Sequence, residues 1–227
     1  MAVTPTEWSV VIVGRWNRAI LTPSGIAKRL FQLEEGTPLE VLVAIDAPAP
    51  PQVKYDGITV VAGDDRLLVH PETPGYPELE KAKAVASRAL ASLPETPISA
   101  AGVNVNYRCD EPLESLQQIT RHTWCDDQLS DRRYVITRRQ LTRTLKWDDA
   151  QINFSVIEQP DSTFQILFNF HHASSDVKKL ADWLHTPIED ITSHVRAVLV
   201  DCMKLEPENV SHAGTDSEIG DIAAASK

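Results

Sequence analysis

Two spacings of apolar residues alternate along this chain. Between Trp8 and Trp16 the residues Val10, Val11, Ile12 and Val13 follow one another without a polar interruption, which predicts a strand covered on both faces. Thr22 then offers a side-chain cap, Pro23 suits a first helical position, and Ile26, Leu30 and Phe31 repeat at helical spacing, so a helix is predicted that ends at Gly36. Leu39–Ile45 reads as a second strand. Ala47–Gln52, with Pro48, Pro50 and Pro51, reads as a stiff connector, because proline cannot donate to a central ladder. Ile58–Val61 and Arg66–Val69 flank Gly63, Asp64 and Asp65 and predict a hairpin. A loop over Pro71–Pro77 precedes Leu79, Ala82, Val85, Ala86, Ala89, Leu90 and Leu93, one face of a long helix that Pro94 and Pro97 stop.

The same order then recurs. Ile98–Tyr107 predicts a strand and Pro112–Ile119 a short helix with Leu113, Leu116 and Ile119 inward, while residues 120–131 show no clean period and read as a loop. Tyr134–Trp147 predicts a long strand that turns at Asp148 and Asp149 into Gln151–Glu158, and a second turn at Pro160 and Asp161 leads into Phe164–Phe170. A final helical region starts near Asp176, breaks at Thr186 and Pro187, and runs to about Lys204 with Ile188, Ile191, Val195, Val198, Leu199 and Cys202 inward. The expectation is an α+β fold: a mostly antiparallel sheet made of two related strand-helix-three-strand-helix units, with helices on one face. Residues 1–97 form the first half, 98–205 the second half packed on it as one domain, and 206–227 a disordered acidic tail. Asn17 and Arg18 close the first strand much as Asn106, Tyr107 and Arg108 close its counterpart, and the element order is similar to the saddle of the TATA-binding-protein fold.

Composition narrows the function. Three cysteines, Cys109, Cys125 and Cys202, are odd in number and lack paired spacing, which favours a reducing compartment, and no leader-like or membrane-length apolar segment is present, so a cytoplasmic protein is expected. The net charge of -10 disfavours nucleic acid as a partner of the whole surface. The charge is uneven, however: residues 121–146 carry seven cations against three carboxylates, +4, so the remainder sums to -14.

Three constellations bear on chemistry. Phe170, His171, His172, Ala173, Ser174, Ser175 and Asp176 lie between a strand and a helix, and the string resembles the His-His-x-x-x-Asp motif of the acyltransferases related to chloramphenicol acetyltransferase and of peptide-synthetase condensation domains. The resemblance implies His172 as general base and Asp176 as the carboxylate that holds the site, although Val177 stands where that family has glycine. Strand alternation instead puts His172 on the face of Phe164, Ile166, Phe168 and Phe170, as a buried histidine, with Asp176 as a helix cap.

The second constellation is the basic strand, on which Arg138, Gln140, Thr142, Thr144 and Lys146 share one face, with Arg139, Leu141, Arg143 and Leu145 opposite. Cys109, His122 and Cys125 form the third, but their spacing matches no zinc pattern and a fourth ligand is missing, so no metal is expected. With no phosphate-binding glycine loop, Gly-x-Ser-x-Gly or His-Glu-x-x-His either, no cofactor is expected. The reading is a non-catalytic interaction or assembly protein. It would bind another protein, or a second copy of itself, through an open sheet face or edge strand, with Arg138, Gln140, Thr142 and Lys146 as binding residues. Its alternatives are a small acyltransferase using His172 and Asp176, and a nucleic-acid module using Arg138–Lys146.

Overall fold

The computed structural model describes residues 2–44, 49–120 and 123–208. In chain order the elements are β1 (Ala2–Pro5), β2 (Ser9–Gly14), α1 (Pro23–Arg29), β3 (Glu40–Leu42), β4 (Gln52–Tyr55), β5 (Ile58–Ala62), β6 (Arg66–Pro71), α2 (Tyr76–Ser92) and β7 (Ile98–Cys109). They continue with α3 (Glu114–Thr120), α4 (Thr123–Asp131), β8 (Arg139–Trp147), β9 (Ala150–Glu158), β10 (Phe164–Ala173), α5 (Val177–Leu184), α6 (Ile188–Arg196) and β11 (Glu206–Pro207). The fold is α+β, with six helices among the described residues against one large, mostly antiparallel sheet ordered β3-β4-β5-β6-β2-β7-β10-β9-β8. No helix among the described residues is long and apolar enough to cross a membrane.

β7 spans 12 residues and is paired along both sides. On one side lie β2, from Ser9 opposite Asn104 to Gly14 opposite Ile98, and β1, with Thr4 opposite Arg108; on the other lies β10, from Phe164 opposite Cys109 to Ala173 opposite Ala100. The alternation of these strands buries one face: Val10 and Ile12, then Ala101, Val103, Val105 and Tyr107, then Phe164, Ile166, Phe168 and Phe170. The helices cover this face. Leu79, Ala82, Ala86 and Leu90 of α2 are buried, His194 of α6 packs edge-on against Trp147, and Trp183 of α5 stacks over His172. On α3, Thr120 donates to Glu158 at the end of β9.

A buried lysine ties two helices together. Lys83 on α2 is 1% exposed, and its Nζ donates to Glu80 Oε2 at 2.8 Å and to the Thr186 carbonyl at 2.5 Å. Both acceptors are needed, because an ammonium taken out of water without them would cost on the order of several kcal/mol. The carbonyl bond fixes the bend at Thr186–Pro187 that separates α5 from α6. At the start of α2, Tyr76 and Tyr107 share a hydroxyl contact of 3.2 Å beside Trp8, and burial raises both phenol pKa values above the ordinary 10.0.

Several expectations require correction. Residues 120–131 are not a loop, since α4 occupies Thr123–Asp131. The basic strand begins at Arg139, so Arg138 precedes it and Tyr134 and Val135 stand exposed before it. The first helix ends at Arg29 and not at Gly36, and Gln52 starts a strand where a proline-bound connector was expected; Ile45 and the connector residues Ala47 and Pro48 lie outside the described residues. That strand, β4, turns into β5 through Asp56 and Gly57 at φ +47° and +71°, the two left-handed positions a type I′ turn requires. The expected tail loses its first residues to the fold: Glu206 pairs with Ala2, Glu208 N–H donates to the Val3 carbonyl, and residues 209–227 lie outside the described residues. β1 itself was not anticipated.

Phe168→Ala should lower stability in urea unfolding by about 3–5 kcal/mol, while Leu145→Ala on the exposed edge should cost less than about 1 kcal/mol. Because the folded state keeps Tyr76 and Tyr107 protonated, their contribution to stability is complete below the ordinary phenol pKa of 10.0 and is lost as pH rises beyond it. Urea midpoints of the native protein should therefore fall more steeply above about pH 10 than those of Tyr107→Phe.

Candidate binding face

On the side of the sheet away from the helices, the pairing register brings polar side chains into one line. Starting at one edge, Glu40 stands opposite Lys54, Lys54 opposite Thr59, and Thr59 opposite His70. The ladder Val10–Val69 extended by one step sets Ser9 beside His70. Ser9 stands opposite Asn104, Asn104 opposite Asn169, Asn169 opposite Asn153, and Asn153 opposite Thr144. The line crosses every strand of the central path, from β3 to β8, a span of roughly 38 Å at ~4.8 Å per strand.

Over five strands the line is closed by hydrogen bonds that all run one way. Thr144 Oγ1 donates to Asn153 Oδ1 at 3.0 Å, Asn153 Nδ2 to Asn169 Oδ1 at 3.1 Å, Asn169 Nδ2 to Asn104 Oδ1 at 2.8 Å, and Asn104 Nδ2 to Ser9 Oγ at 3.0 Å. Aligned donors polarise one another, so the chain delivers a strengthened O–H donor at Ser9. Gly102 makes room for it, since a Cβ there would come within 3.2 Å of Asn169 Nδ2.

At the β8 end Gln140, Thr142, Thr144 and Lys146 lie on this open face, opposite Ile157, Ser155, Asn153 and Gln151, and all four are exposed. Gln140 Nε2 donates to Thr142 Oγ1 at 2.9 Å, and Thr142 and Ser155 hydroxyls meet at 3.0 Å. Arg139 and Arg143 point to the helix side, where Arg139 pairs with Asp126 of α4 at 3.1 Å. Arg138 is exposed just before the strand. Among the described residues neither Arg138 nor Lys146 makes an ion pair, and β8 is hydrogen-bonded along one side only, to β9.

The histidine turn is arranged differently. His172 is 5% exposed and stacks on Trp183 at 5.8 Å; its Nδ1 lies 3.7 Å from Asp149 Oδ1, within ion-pair reach but too long for a hydrogen bond. Asp176 is exposed, and its Oδ1 accepts from the N–H groups of Lys178 and Lys179, which makes it the N-cap of α5. Its carboxylate is thus engaged with the helix start, while His171 lies on the open face opposite Gly102 and Gln151. Of the cysteines, Cys109 is buried, which pushes its thiol pKa up, and donates to the Glu111 carbonyl; Cys125 lies beside Asp126, and His122 lies outside the described residues.

Ser9, Asn104, Asn153 and Asn169 were not singled out from the sequence. A signal existed: asparagine is depleted in strands, so three of them on one alternation phase of β7, β9 and β10 mark a face that is not core. No protein-family model matches this chain, and no curated protein sequence is significantly similar to it.

Asn169→Ala breaks the line at its centre and removes two hydrogen bonds at once. Urea unfolding should show a loss of about 1–2 kcal/mol, against less than about 1 kcal/mol for Thr144→Ala at its end.

Proposed function

We propose that the protein is a non-catalytic interaction module that binds an extended, acidic segment of another protein along the free edge of β8 and the polar face beside it. The carrying observation is the 9-residue β8, unpaired along one side, with Arg138 and Lys146 exposed and without ionic partners among the described residues. An unpaired strand edge supplies main-chain donors and acceptors to an incoming strand, and the side chains beside it supply the selectivity. Residues 121–146 carry +4 in a chain of -10, so an acidic segment is attracted there and to few other places. A second copy of the chain fits this edge less well. Antiparallel pairing of two β8 strands about Arg143 would set cation against cation, which destabilises a directly opposed pair.

In this reading the chain consists of two related halves, 1–97 and 98–205. Outward from the β2–β7 pair the strands run β2-β6-β5-β4 in the first and β7-β10-β9-β8 in the second, an order that supports both the internal repeat and the saddle-like comparison. The free thiols of Cys109, Cys125 and Cys202 fit a reducing compartment such as the cytoplasm.

The test uses a peptide of alternating Glu and Thr about as long as β8, its Lys-Thr counterpart and a single-stranded DNA of matching length, each followed by fluorescence anisotropy. The Glu-Thr peptide should bind, and the double variant Arg138→Glu/Lys146→Glu should weaken it about tenfold or more. Equal binding of both peptides, unchanged binding by the double variant, or preferential and steeply salt-dependent binding of the DNA would overturn the reading. So would turnover of an acyl donor that is lost in His172→Ala with the fold intact.

A further inference from the structure

Two large apolar side chains stand in water just before the basic edge strand. Tyr134 is 63% exposed and Val135 83%, in a stretch where Arg132, Arg133 and Arg138 are exposed as well. Arg139 is paired with Asp126, whereas Arg132, Arg133 and Arg138 make no ion pair among the described residues, and Asp131 is the one carboxylate from 131 to 138. The end of α4 holds this stretch in place. Arg133 takes a left-handed φ of +65°, its N–H donates to the Ser130 carbonyl at 2.8 Å, and Tyr134 N–H donates to the Leu129 carbonyl at 3.0 Å. Such a double cap closes a helix and sends the chain off in a set direction, with the residue at the position of Tyr134 frequently packed back on the helix. Here most of the tyrosine stays in water. The main chain beyond it is open too: Val135, Ile136 and Thr137 are hydrogen-bonded to no other backbone group among the described residues, and the β8 ladder starts only at Arg139, opposite Glu158.

An acidic strand laid along β8 alone would occupy the edge and leave both side chains in water. A strand that continues past Arg139 meets them together with a further length of unpaired main chain, and the three arginines draw its acidic stretch in that direction. Every pairing along the central path of the sheet is antiparallel, and antiparallel pairs are slightly the more stable, so the incoming strand passes Lys146 first and Tyr134 last. Neighbouring residues of an extended chain point to opposite faces, so Tyr134 and Val135 each need a partner residue of their own. Given the β8 binding site proposed above, on which this inference rests, we propose that the bound segment carries two adjacent apolar residues at the C-terminal end of its acidic stretch, one packed against Tyr134 and the other against Val135. Aromatic and β-branched side chains opposed across a strand pair are among the favourable combinations, so the pair anchors the segment and fixes its direction.

Three amidated peptides, each as long as residues 134–147, test this on the full chain by fluorescence anisotropy: one of alternating Glu and Thr, one with Val-Ile as its last two residues, and one with Val-Ile as its first two. The peptide ending in Val-Ile should bind about tenfold tighter than the plain one, and the peptide beginning with Val-Ile should stay within about threefold of it. In the double variant Tyr134→Ser/Val135→Ser the plain peptide and the one ending in Val-Ile should differ by less than about threefold. Both side chains are exposed, so the urea midpoint of that variant should match the native one. Binding of the plain peptide with no gain from Val-Ile, an equal gain at either end, or a gain that persists in the double variant would overturn this inference and leave the β8 site standing. If none of the peptides binds, both fall. Sedimentation of the peptide-free chain as a dimer that the double variant abolishes would assign Tyr134 and Val135 to a second copy, and would likewise overturn the inference.

Discussion

The structure depends on β7 having both of its edges occupied. A strand of 12 residues carries a main-chain donor and acceptor at each position, and burying it is possible only if neighbours on both sides satisfy them. β2 and β1 do so on one side and β10 on the other, which joins the two halves of the chain at the centre of the sheet. Once that register is set, strict alternation decides the rest. Val103, Val105 and Tyr107 must face the helices together with Ile166, Phe168 and Phe170, and Asn104 and Asn106 must face away.

The same constraint produces the polar face on which function is proposed. A one-residue slip of β10 against β7 would turn Asn169 into the core and break the hydrogen-bonded line, so the polar face and the apolar core are specified together. The line is then an outcome of register and not of local preference. It ends at one side in the exposed Thr144 of the edge strand β8, and at the other in Ser9 on β2.

Much of the secondary structure was legible because its cause is local. Thr22 caps α1 by accepting from Gly25 N–H, Asp176 caps α5, and the apolar stripe from Leu79 to Leu90 is the buried side of α2. The hairpins at Gly63–Asp65, Asp148–Asp149 and Pro160–Asp161 fell where turn residues stand. α4 was missed because Thr123–Asp131 lacks a strong apolar stripe, and β4 was missed because Pro50 and Pro51 just before it carry the signature of a connector, which outweighs the Asp56-Gly57 turn that follows. On β8 the open-face set Gln140, Thr142 and Lys146 followed from alternation alone, whereas the start of the strand did not.

By itself the sequence determined which residues are apolar at what period, where helices are capped, where hairpins turn, and that cations gather at residues 121–146 while the chain as a whole is acidic. Those are properties of neighbours in the chain. Only the tertiary structure decided that Ser9, Asn104, Asn169, Asn153 and Thr144 form one line, that Lys83 joins α2 to the bend after α5, and that, among the described residues, β8 is an edge and Thr59 is buried without a hydrogen-bond partner. Each of these depends on strand order and register between residues far apart in the chain, and no local pattern of side chains encodes those pairings.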